Sequence, residues 1–168
     1  MKIERKEYFD KLIGYKDKKI IKVITGVRRC GKSTLLSMFQ DYLKTQSVSD
    51  EQIIYINFED YEFESLWDPK ALYAYLKERI IPGKMTYLIM DEIQNVKEFQ
   101  RVVDSFFIKD NIDIYITGSN AYMLSGELST LLTGRFVKIE MLPFSFYEFV
   151  QANSMEDNLE RAYQKYIE

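Results

Sequence analysis

The chain has 168 residues, of which 46% are hydrophobic and 29% charged, as is typical of a single globular domain. Its net charge of −3 gives no general nucleic-acid-binding surface, so contact with DNA or RNA would need a local patch or another domain. The single cysteine excludes an internal disulfide and favours a cytoplasmic setting, and the absence of histidine excludes histidine-based acid–base chemistry.

The first part of the chain begins an alternation of helical patterns and apolar runs, which predicts a parallel α/β sheet. An amphipathic pattern predicts a helix over Arg5–Tyr15, and the apolar run Ile20–Thr25 predicts the first strand. The charged segment Met1–Glu7 is not typical of a signal peptide, and no apolar run is long enough to span a membrane. We therefore expect no membrane partner.

A phosphate-binding loop follows this strand. Gly26–Ser33 reads Gly-Val-Arg-Arg-Cys-Gly-Lys-Ser, with two glycines separated by four residues and then Lys-Ser. Backbone N–H groups in such a loop, together with the N-terminus of the next helix, bind a di- or triphosphate. Lys32 is expected to contact the β- and γ-phosphates, and the Ser33 hydroxyl is expected to ligate Mg²⁺. The predicted nucleotide-binding residues are Gly26, Arg28, Arg29, Cys30, Gly31, Lys32, Ser33 and Thr34.

Three side chains in this loop have two interpretations each. Arg28 and Arg29 either raise the positive potential that attracts phosphates or point to solvent. Cys30 is either an oxidation target or a small residue at a permissive position, since thiol reactivity needs exposure and a lowered pKa.

Further along, the helix after the loop is predicted to extend to Leu43, and Ile53–Asn57 is predicted as the second strand. Asn57, at the end of this strand, could either hydrogen-bond Glu92 and hold it away from water or satisfy turn backbone. Asp68-Pro69 predicts the start of the next helix, and Pro82-Gly83 its end.

The third predicted strand, Thr86–Asp91, ends in two adjacent acids, Asp91 and Glu92. A buried parallel strand delivers its last residues to the carboxyl edge of the sheet, where ligands of open α/β folds bind. Asp91 is expected to hold Mg²⁺ directly or through water, and Glu92 to polarise the water that attacks the γ-phosphate. An acid directly after the metal-binding aspartate favours hydrolysis over phosphate transfer to a small acceptor.

The later elements complete the predicted sheet. A helix is predicted over Val96–Phe107, a fourth strand over Asp113–Thr117, a partly helical segment over Ala121–Thr133 and a fifth strand over Phe136–Met141.

Two polar residues beside these strands are further candidates. Asn120, or Ser119 next to it, could orient water or sense the γ-phosphate, or it could cap the following helix. Arg135 could stabilise transition-state charge on the nucleotide of a neighbouring subunit, which would imply a homo-oligomer, or it could be a solvated surface arginine.

The final segment, Leu159–Ile167, has an amphipathic helical pattern without a C-terminal cap. We interpret the chain as the N-terminal portion of a longer protein. Residues 1–150 are predicted to form a P-loop ATPase core, and residues 151–168 the start of a helical lid or of a following domain.

Taken in order, these motifs resemble an AAA-like ATPase family of bacteria and archaea. The segments that carry the resemblance are Ile21–Leu36, Tyr55–Glu59, Leu88–Gln94, Thr117–Ala121, Gly134–Phe136 and Leu142–Phe149. The resemblance implies the additional-strand-catalytic-glutamate branch of P-loop NTPases, with a parallel five-stranded sheet in the order 5-1-4-3-2 between helices.

The same resemblance implies roles for individual residues. Lys32 and Ser33 correspond to Walker A, Asp91 and Glu92 to Walker B, Asn120 to the strand-four sensor, Arg135 to the arginine finger and Asn57 to the residue that restrains the catalytic glutamate. Cys30 replaces an expected serine, with little consequence because backbone groups hold the phosphates.

Members of this family continue into a helical lid and a C-terminal domain, often of unknown function. The lid's second sensor arginine is absent from this sequence, so we expect weak or no turnover from it alone.

The function predicted from the sequence is Mg²⁺-dependent ATP binding and hydrolysis that drives or gates a partner domain, the missing C-terminal domain first among the candidates. The alternative is a nucleotide-dependent switch or adaptor with little turnover. A GTPase is disfavoured because Asn95–Glu98 does not supply the Asn-Lys-x-Asp guanine motif. A small-molecule kinase is disfavoured by Glu92 and by the absence of an arginine-rich lid.

Overall fold

Five parallel strands form one sheet in the computed structural model, which describes residues 5–119 and 132–167. The strands are β1 (Ile21–Gly26), β2 (Ile53–Asn57), β3 (Thr86–Asp91), β4 (Ile112–Gly118) and β5 (Phe136–Met141). Their order is β2-β3-β4-β1-β5, and every neighbouring pair is parallel. The predicted order 5-1-4-3-2 is therefore confirmed.

Six α-helices accompany the sheet in the described residues. They are α1 (Lys6–Gly14), α2 (Lys32–Thr45), α3 (Pro69–Arg79), α4 (Phe99–Phe107), α5 (Phe146–Asn153) and α6 (Leu159–Ile167). Short 3₁₀ helices occur at Asp50–Gln52, Tyr61–Trp67 and Ile93–Asn95.

The helices cover both faces of the sheet. On one face, Leu12 of α1 and Phe39 of α2 pack with Ile24 and Tyr115 of the sheet. The other face forms a second buried cluster in which α3 and α4 take part, with the side chains of Leu72, Leu76, Val103, Phe106, Ile56 and Ile114. Because both faces are covered, β1, β3 and β4 are buried along their whole length, as continuous apolar strands in a parallel sheet should be.

The sequence placed the start of α4 too early. A helix was expected over Val96–Phe107, whereas α4 begins at Phe99 after a separate 3₁₀ turn at Ile93–Asn95. Glu98 has a left-handed backbone with φ of 48°, which interrupts a right-handed helix at that residue.

Helix α5 was not predicted, although its start has a sequence signature. Ser145 Oγ accepts a hydrogen bond from the Glu148 N–H at 3.3 Å, and the Glu148 carboxylate accepts one from the Ser145 N–H at 2.7 Å. This reciprocal arrangement is a capping box, which follows from the spacing Ser-x-x-Glu.

Two expectations are left open by the fold. The partly helical segment expected over Ala121–Thr133 lies outside the described residues, except for residues 132 and 133. The division into a core of residues 1–150 and a following unit stays a prediction. Over residues 5–119 and 132–167, no helix is both long and apolar enough to cross a membrane.

Candidate nucleotide-binding site

The loop between β1 and α2 depends on glycine at two positions, for different reasons. A Cβ added at Gly26 would lie 2.5 Å from the carbonyl oxygen of Met141 and 2.6 Å from Cys30 Sγ, so only glycine allows β5 and the loop to approach this closely. Gly31 has a left-handed backbone with φ of +99°, which side chains rarely adopt. The loop therefore folds back tightly before α2 begins.

The first turn of α2 presents backbone N–H donors beside the loop. Among the described residues, no acceptor pairs with the backbone N–H groups of Gly31, Lys32, Ser33 or Thr34. Such orphan donors and the positive end of the helix dipole together favour an anionic ligand. A cavity of about 320 Å³ lies here, and the loop and Glu92 contribute to its lining.

Lys32 lies in the wall of this cavity with its side chain 3% exposed. Its Nζ is 3.3 Å from each of the Gly26 and Val27 carbonyl oxygens and 3.3 Å from Glu92 Oε1. The structure thus brings together the lysine and the glutamate that the sequence singled out on separate segments.

Asp91 is fully buried, and both of its carboxylate oxygens accept hydrogen bonds. The Thr117 hydroxyl of β4 donates to Oδ1, and the Tyr55 hydroxyl of β2 donates to Oδ2 at 3.2 Å. Burial and the neighbouring negative charge of Asp91 raise the pKa of Tyr55, so the phenol remains a neutral donor. The carboxylate is therefore oriented from the two strands that flank β3.

Thr117 also contacts the second acid, because its hydroxyl accepts a hydrogen bond from the Glu92 N–H at 2.9 Å. One hydroxyl thereby links Asp91 to the backbone of Glu92. Sequence reasoning missed Thr117 and Tyr55. The only available signal was that β2 and β4 are the neighbours of β3, and a strand order alone does not say which side chains meet.

Glu92 has a left-handed backbone with φ of 53°, a conformation that is sparsely populated outside glycine and often occurs at functional sites. Its Oε2 accepts a hydrogen bond from Gln94 Nε2 at 2.6 Å while Oε1 faces Lys32. The Asn57 side chain instead accepts from the Glu59 N–H at 3.0 Å. Asn57 thus satisfies turn backbone, and Gln94 is the residue that holds Glu92.

The three ambiguous loop side chains differ in their surroundings. Arg28 lines the cavity, is 83% exposed at its side chain and pairs with Glu59 at 3.2 Å. Arg29 is exposed and also lines the cavity, so both arginines are at once solvated and close to the cavity. Cys30 is 3% exposed and packs under Gly26, which favours the interpretation as a small buried residue over an oxidation target.

Two predicted catalytic residues are not brought into this cavity by the described structure. Asn120 lies outside the described residues. Arg135 precedes β5, and its carbonyl accepts from the N–H of Ile21 at the start of β1, so it lies at the amino edge of the sheet. Its guanidinium pairs with Asp104 of α4.

The few oxygen donors at the cavity suit Mg²⁺, which needs only one or two protein ligands. They do not suit a metal ion whose ligands all come from the protein. Ser33 is exposed and lines the cavity, whereas Asp91 is buried behind it. No group of three or more acidic or cysteine side chains in the described residues could hold a metal ion. Mg²⁺ keeps several waters and takes one or two protein ligands together with phosphate oxygens, so Ser33 and Asp91 fit it.

Comparison with known proteins agrees with this geometry. The AAA domain family profile matches residues 18–150. The chain belongs to the AAA domain family. This AAA domain includes the phosphate loop, both acids and all five strands within the matched residues.

The similar proteins include an uncharacterized protein of Haemophilus influenzae that is 43% identical over 171 aligned positions. That alignment covers 98% of this chain and 43% of the relative, so the chain spans less than half of the relative's length.

Solved structures of low sequence identity share the fold. Hsp104, in a closed state with ATPγS and FITC casein, superposes with a TM-score of 0.62 at 16% identity, covering 98% of this chain and 30% of that one. C. elegans PCH-2 superposes with a TM-score of 0.58 at 17% identity, covering 89% and 45%.

Proposed function

We propose that this AAA domain binds ATP with Mg²⁺ in the cavity between the phosphate loop and Glu92, and hydrolyses the γ-phosphate to drive or gate a partner domain. The observation that carries the proposal is the approach of Lys32 Nζ to Glu92 Oε1 at 3.3 Å, beside the unpaired N–H groups of α2. A cation for the phosphates and a carboxylate for water thus share one cavity.

Binding uses the loop. The backbone N–H groups of Gly31–Thr34 would donate to phosphate oxygens, and Lys32 would exchange Glu92 for a phosphate as its counter-ion. Ser33 and Asp91 would hold Mg²⁺, which would supply positive charge to neutralise the phosphates. Arg28 and Arg29 add positive potential at the mouth of the cavity.

Hydrolysis uses Glu92. Once Lys32 pairs with phosphate, Oε1 of Glu92 is free to accept a proton from water as that water attacks the γ-phosphorus. Thr117 fixes the backbone of Glu92 through the 2.9 Å bond from its N–H, so the carboxylate is aimed from a rigid strand end. Asn120 is proposed to orient the same water, as the strand-four position in this family implies.

Two substitutions test this function. Lys32→Ala should abolish the thermal stabilisation by Mg·ATP, which for wild type reaches about 2.7 kcal/mol at a hundred times Kd. Lys44→Ala is the matched control, because Lys44 lies at the far end of the same helix and forms an ion pair with exposed Asp50 at 2.8 Å. Mg·GTP in parallel tests the preference for ATP.

Glu92→Gln should preserve Mg·ATP binding and slow hydrolysis by about 10²–10⁴-fold, the usual contribution of a general base. Glu98→Gln is its control, since Glu98 also has a left-handed backbone and pairs with Arg101 away from the cavity. Equal turnover in wild type and Glu92→Gln would contradict the role given to Glu92.

A nucleotide-dependent switch with little turnover is the second candidate, and one observation favours it. Both carboxylate oxygens of Glu92 are engaged, one by Lys32 and the other by Gln94 at 2.6 Å. Gln94→Ala would release one of these restraints. A rise in turnover in that variant, from a very low wild-type rate, supports the switch; an unchanged rate supports a plain hydrolase.

Partners are proposed from the same residues. Arg135 lies away from its own cavity, so it would act on the nucleotide of a neighbouring copy, and turnover should then rise with protein concentration and fall in Arg135→Ala. A following C-terminal domain, as the family resemblance implies, is proposed as the driven partner, and the H. influenzae relative is long enough to contain further domains. Nucleic acid stays a candidate through a local patch or through such a domain.

A further inference from the structure

A buried arginine lies beneath the phosphate-binding loop, outside the cavity described above. Arg5, directly before α1, has a side chain only 7% exposed. Its Nε is 2.8 Å from Glu148 Oε1, and its Nη2 is 3.3 Å from Glu148 Oε2, so the pair is bidentate. This pair joins the beginning of α1 to the first turn of α5.

The same guanidinium reaches three backbone carbonyls. Nη1 donates to Cys30 O at 3.2 Å and to Leu142 O at 2.6 Å, and Nη2 donates to Pro143 O at 3.4 Å. Arg5 is thus bonded at once to the phosphate loop, to the segment after β5 and to α5. A planar guanidinium with five donors can make such a set of bonds, which a lysine ammonium cannot reproduce.

The bond to Cys30 O has a consequence for the opposite side of the loop. In a trans peptide the C=O of one residue and the N–H of the next point in opposite directions and cannot rotate independently. Holding the Cys30 carbonyl toward Arg5 therefore fixes the Gly31 N–H in the opposite direction. Gly31 lines the cavity, and no described acceptor takes its N–H.

Glu148 is itself held firmly. Burial raises the pKa of its carboxyl. Hydrogen bonds from the Ser145 N–H and the Arg5 guanidinium together lower this pKa by a larger amount, so it lies below its ordinary value. The carboxylate is therefore charged at neutral pH and serves both the α5 capping box and Arg5.

We propose that Arg5 and Glu148 act as positioning residues for the phosphate-binding loop, with Arg5 aiming the Cys30–Gly31 peptide and Glu148 holding Arg5 from α5. The affinity of the loop for phosphates then depends on the position of α5. The statement about affinity rests on the proposed function; the statement about the loop does not.

Cys30 provides a test that needs no nucleotide. It is the only cysteine of the chain and is 3% exposed, so its reaction with a thiol reagent such as DTNB reports opening of the loop. Arg5→Met should speed labelling about tenfold or more, Glu148→Gln less, and Arg5→Lys to an intermediate rate. Lys44→Met, which removes a cation from the end of α2 whose ion pair in the described residues is with exposed Asp50, should label like wild type.

The labelling is repeated at several low urea concentrations. A local opening of the loop gives rates that hardly change with urea, whereas global unfolding gives rates that rise steeply with it. Faster, urea-independent labelling in the Arg5 and Glu148 variants is the expected result. Wild-type rates in both, or acceleration only through global unfolding, would overturn the proposal.

Nucleotide affinity is the second readout. ADP and ATP dissociation constants are measured well below the melting temperature of each variant, with Arg5→Met expected to weaken binding about tenfold, or about 1.4 kcal/mol. Arg5→Met and the double variant with Glu148→Gln should differ little, because both residues act through one contact.

The two proposals fail separately. If wild type binds ATP, Lys32→Ala abolishes binding, and Arg5→Met and Glu148→Gln bind normally, the positioning role is overturned and the proposed function stands. If no variant binds ATP, including wild type, but Cys30 labelling still depends on Arg5, the positioning role stands and the proposed function fails.

Discussion

Two lysine–carboxylate pairs lie at opposite edges of the sheet, and they are built differently. Lys32 and Glu92 meet at the carboxyl edge, where Glu92 is 12% exposed and lines a cavity. Lys22 and Asp113 meet at the amino edge, where their side chains are 0% and 2% exposed. The first pair faces a space that a ligand can enter, and the second is enclosed by protein.

Both members of the enclosed pair have further partners among the described residues. Besides Asp113, the Lys22 amine donates to Lys18 O at 2.9 Å. The Asp113 carboxylate also accepts from the Tyr115 hydroxyl at 2.8 Å and from the Asp17 N–H at 2.9 Å.

The balance of forces differs accordingly. Burial lowers the pKa of Lys22 and raises that of Asp113, because the loss of hydration exceeds their mutual attraction. Such a pair gives little net stability, but removing one member leaves the other charged and buried. Whether a lysine–carboxylate pair forms a ligand site or an internal polar contact therefore depends on the cavity or protein around it, and not on the pair itself.

Breaking the enclosed pair is expected to cause the largest loss of stability. Lys22→Met should lower the free energy of unfolding by about 3–5 kcal/mol, since Asp113 would lose its buried counter-ion. Urea unfolding at pH 7 measures it. Lys32→Met should cost less than Lys22→Met, because Glu92 lines the cavity and its carboxylate can turn to water there.

The double variant Lys22→Met with Asp113→Asn sharpens this prediction. Removing both charges should recover a large part of the lost stability, because the main cost in the single variant is the unpaired charge. A single variant as stable as wild type, or a double variant worse than the sum of its singles, would contradict this account.

Thr117→Val, at the carboxyl edge, is expected to cause a smaller loss of stability. The substitution keeps the shape of the side chain but leaves Asp91 Oδ1 and the Glu92 N–H without their shared partner, which should cost about 1–3 kcal/mol. Thr117→Ser retains the hydroxyl and is the control. Thermal unfolding of the three proteins measures the difference, and equal stability of Val and wild type would exclude the bridging role.

The smallest effect is a pH dependence at the amino edge, carried by Asp17. Burial raises the pKa of this carboxyl. Hydrogen bonds from Lys16 and from Tyr87 at 2.7 Å together lower this pKa by a larger amount, to below its ordinary value of 3.8. A carboxyl with a lowered folded-state pKa stabilises the protein at pH values above its unfolded-state pKa. This contribution to stability is lost as the pH falls through the folded-state pKa.

Asp17→Asn should therefore be less stable than wild type at pH 7, and the difference should shrink as the pH falls below about 3.8. Urea unfolding of both proteins between pH 7 and pH 3 measures the gap. A gap that stays constant or widens toward low pH would show that Asp17 does not act through its charge.

Much of the fold and part of the site followed from the sequence alone. The phosphate loop could be recognised because its glycines, Lys32 and Ser33 are contiguous and their spacing carries the geometry, and its binding role stays a prediction. The strands β1, β3 and β4 were predicted because a strand buried on both faces is a mostly apolar run. The position of Asp91 and Glu92 at the carboxyl edge followed from strand direction.

Contacts between distant segments were decided only by the tertiary structure. The sequence left Asn57 open as a partner of Glu92 or of turn backbone. In the structure the turn after β2 takes the side chain of Asn57, and Gln94 holds the acid. Arg5 read as an ordinary charged residue, yet it pairs with Glu148, 143 positions away. Lys22 likewise interrupts an apolar strand without any local sign of Asp113.

The physical reason is the range of each interaction. Backbone conformation and periodic burial depend on neighbours within a few residues, so loops, strands and the strand-end acids are determined by the sequence itself. Which buried polar group meets which partner depends on how helices and strands pack, because a buried charge or hydroxyl takes whatever donor or acceptor the fold brings within about 3 Å. For this protein, the chemistry of the phosphate loop belongs to the first class, and the residues that hold its parts in place belong to the second.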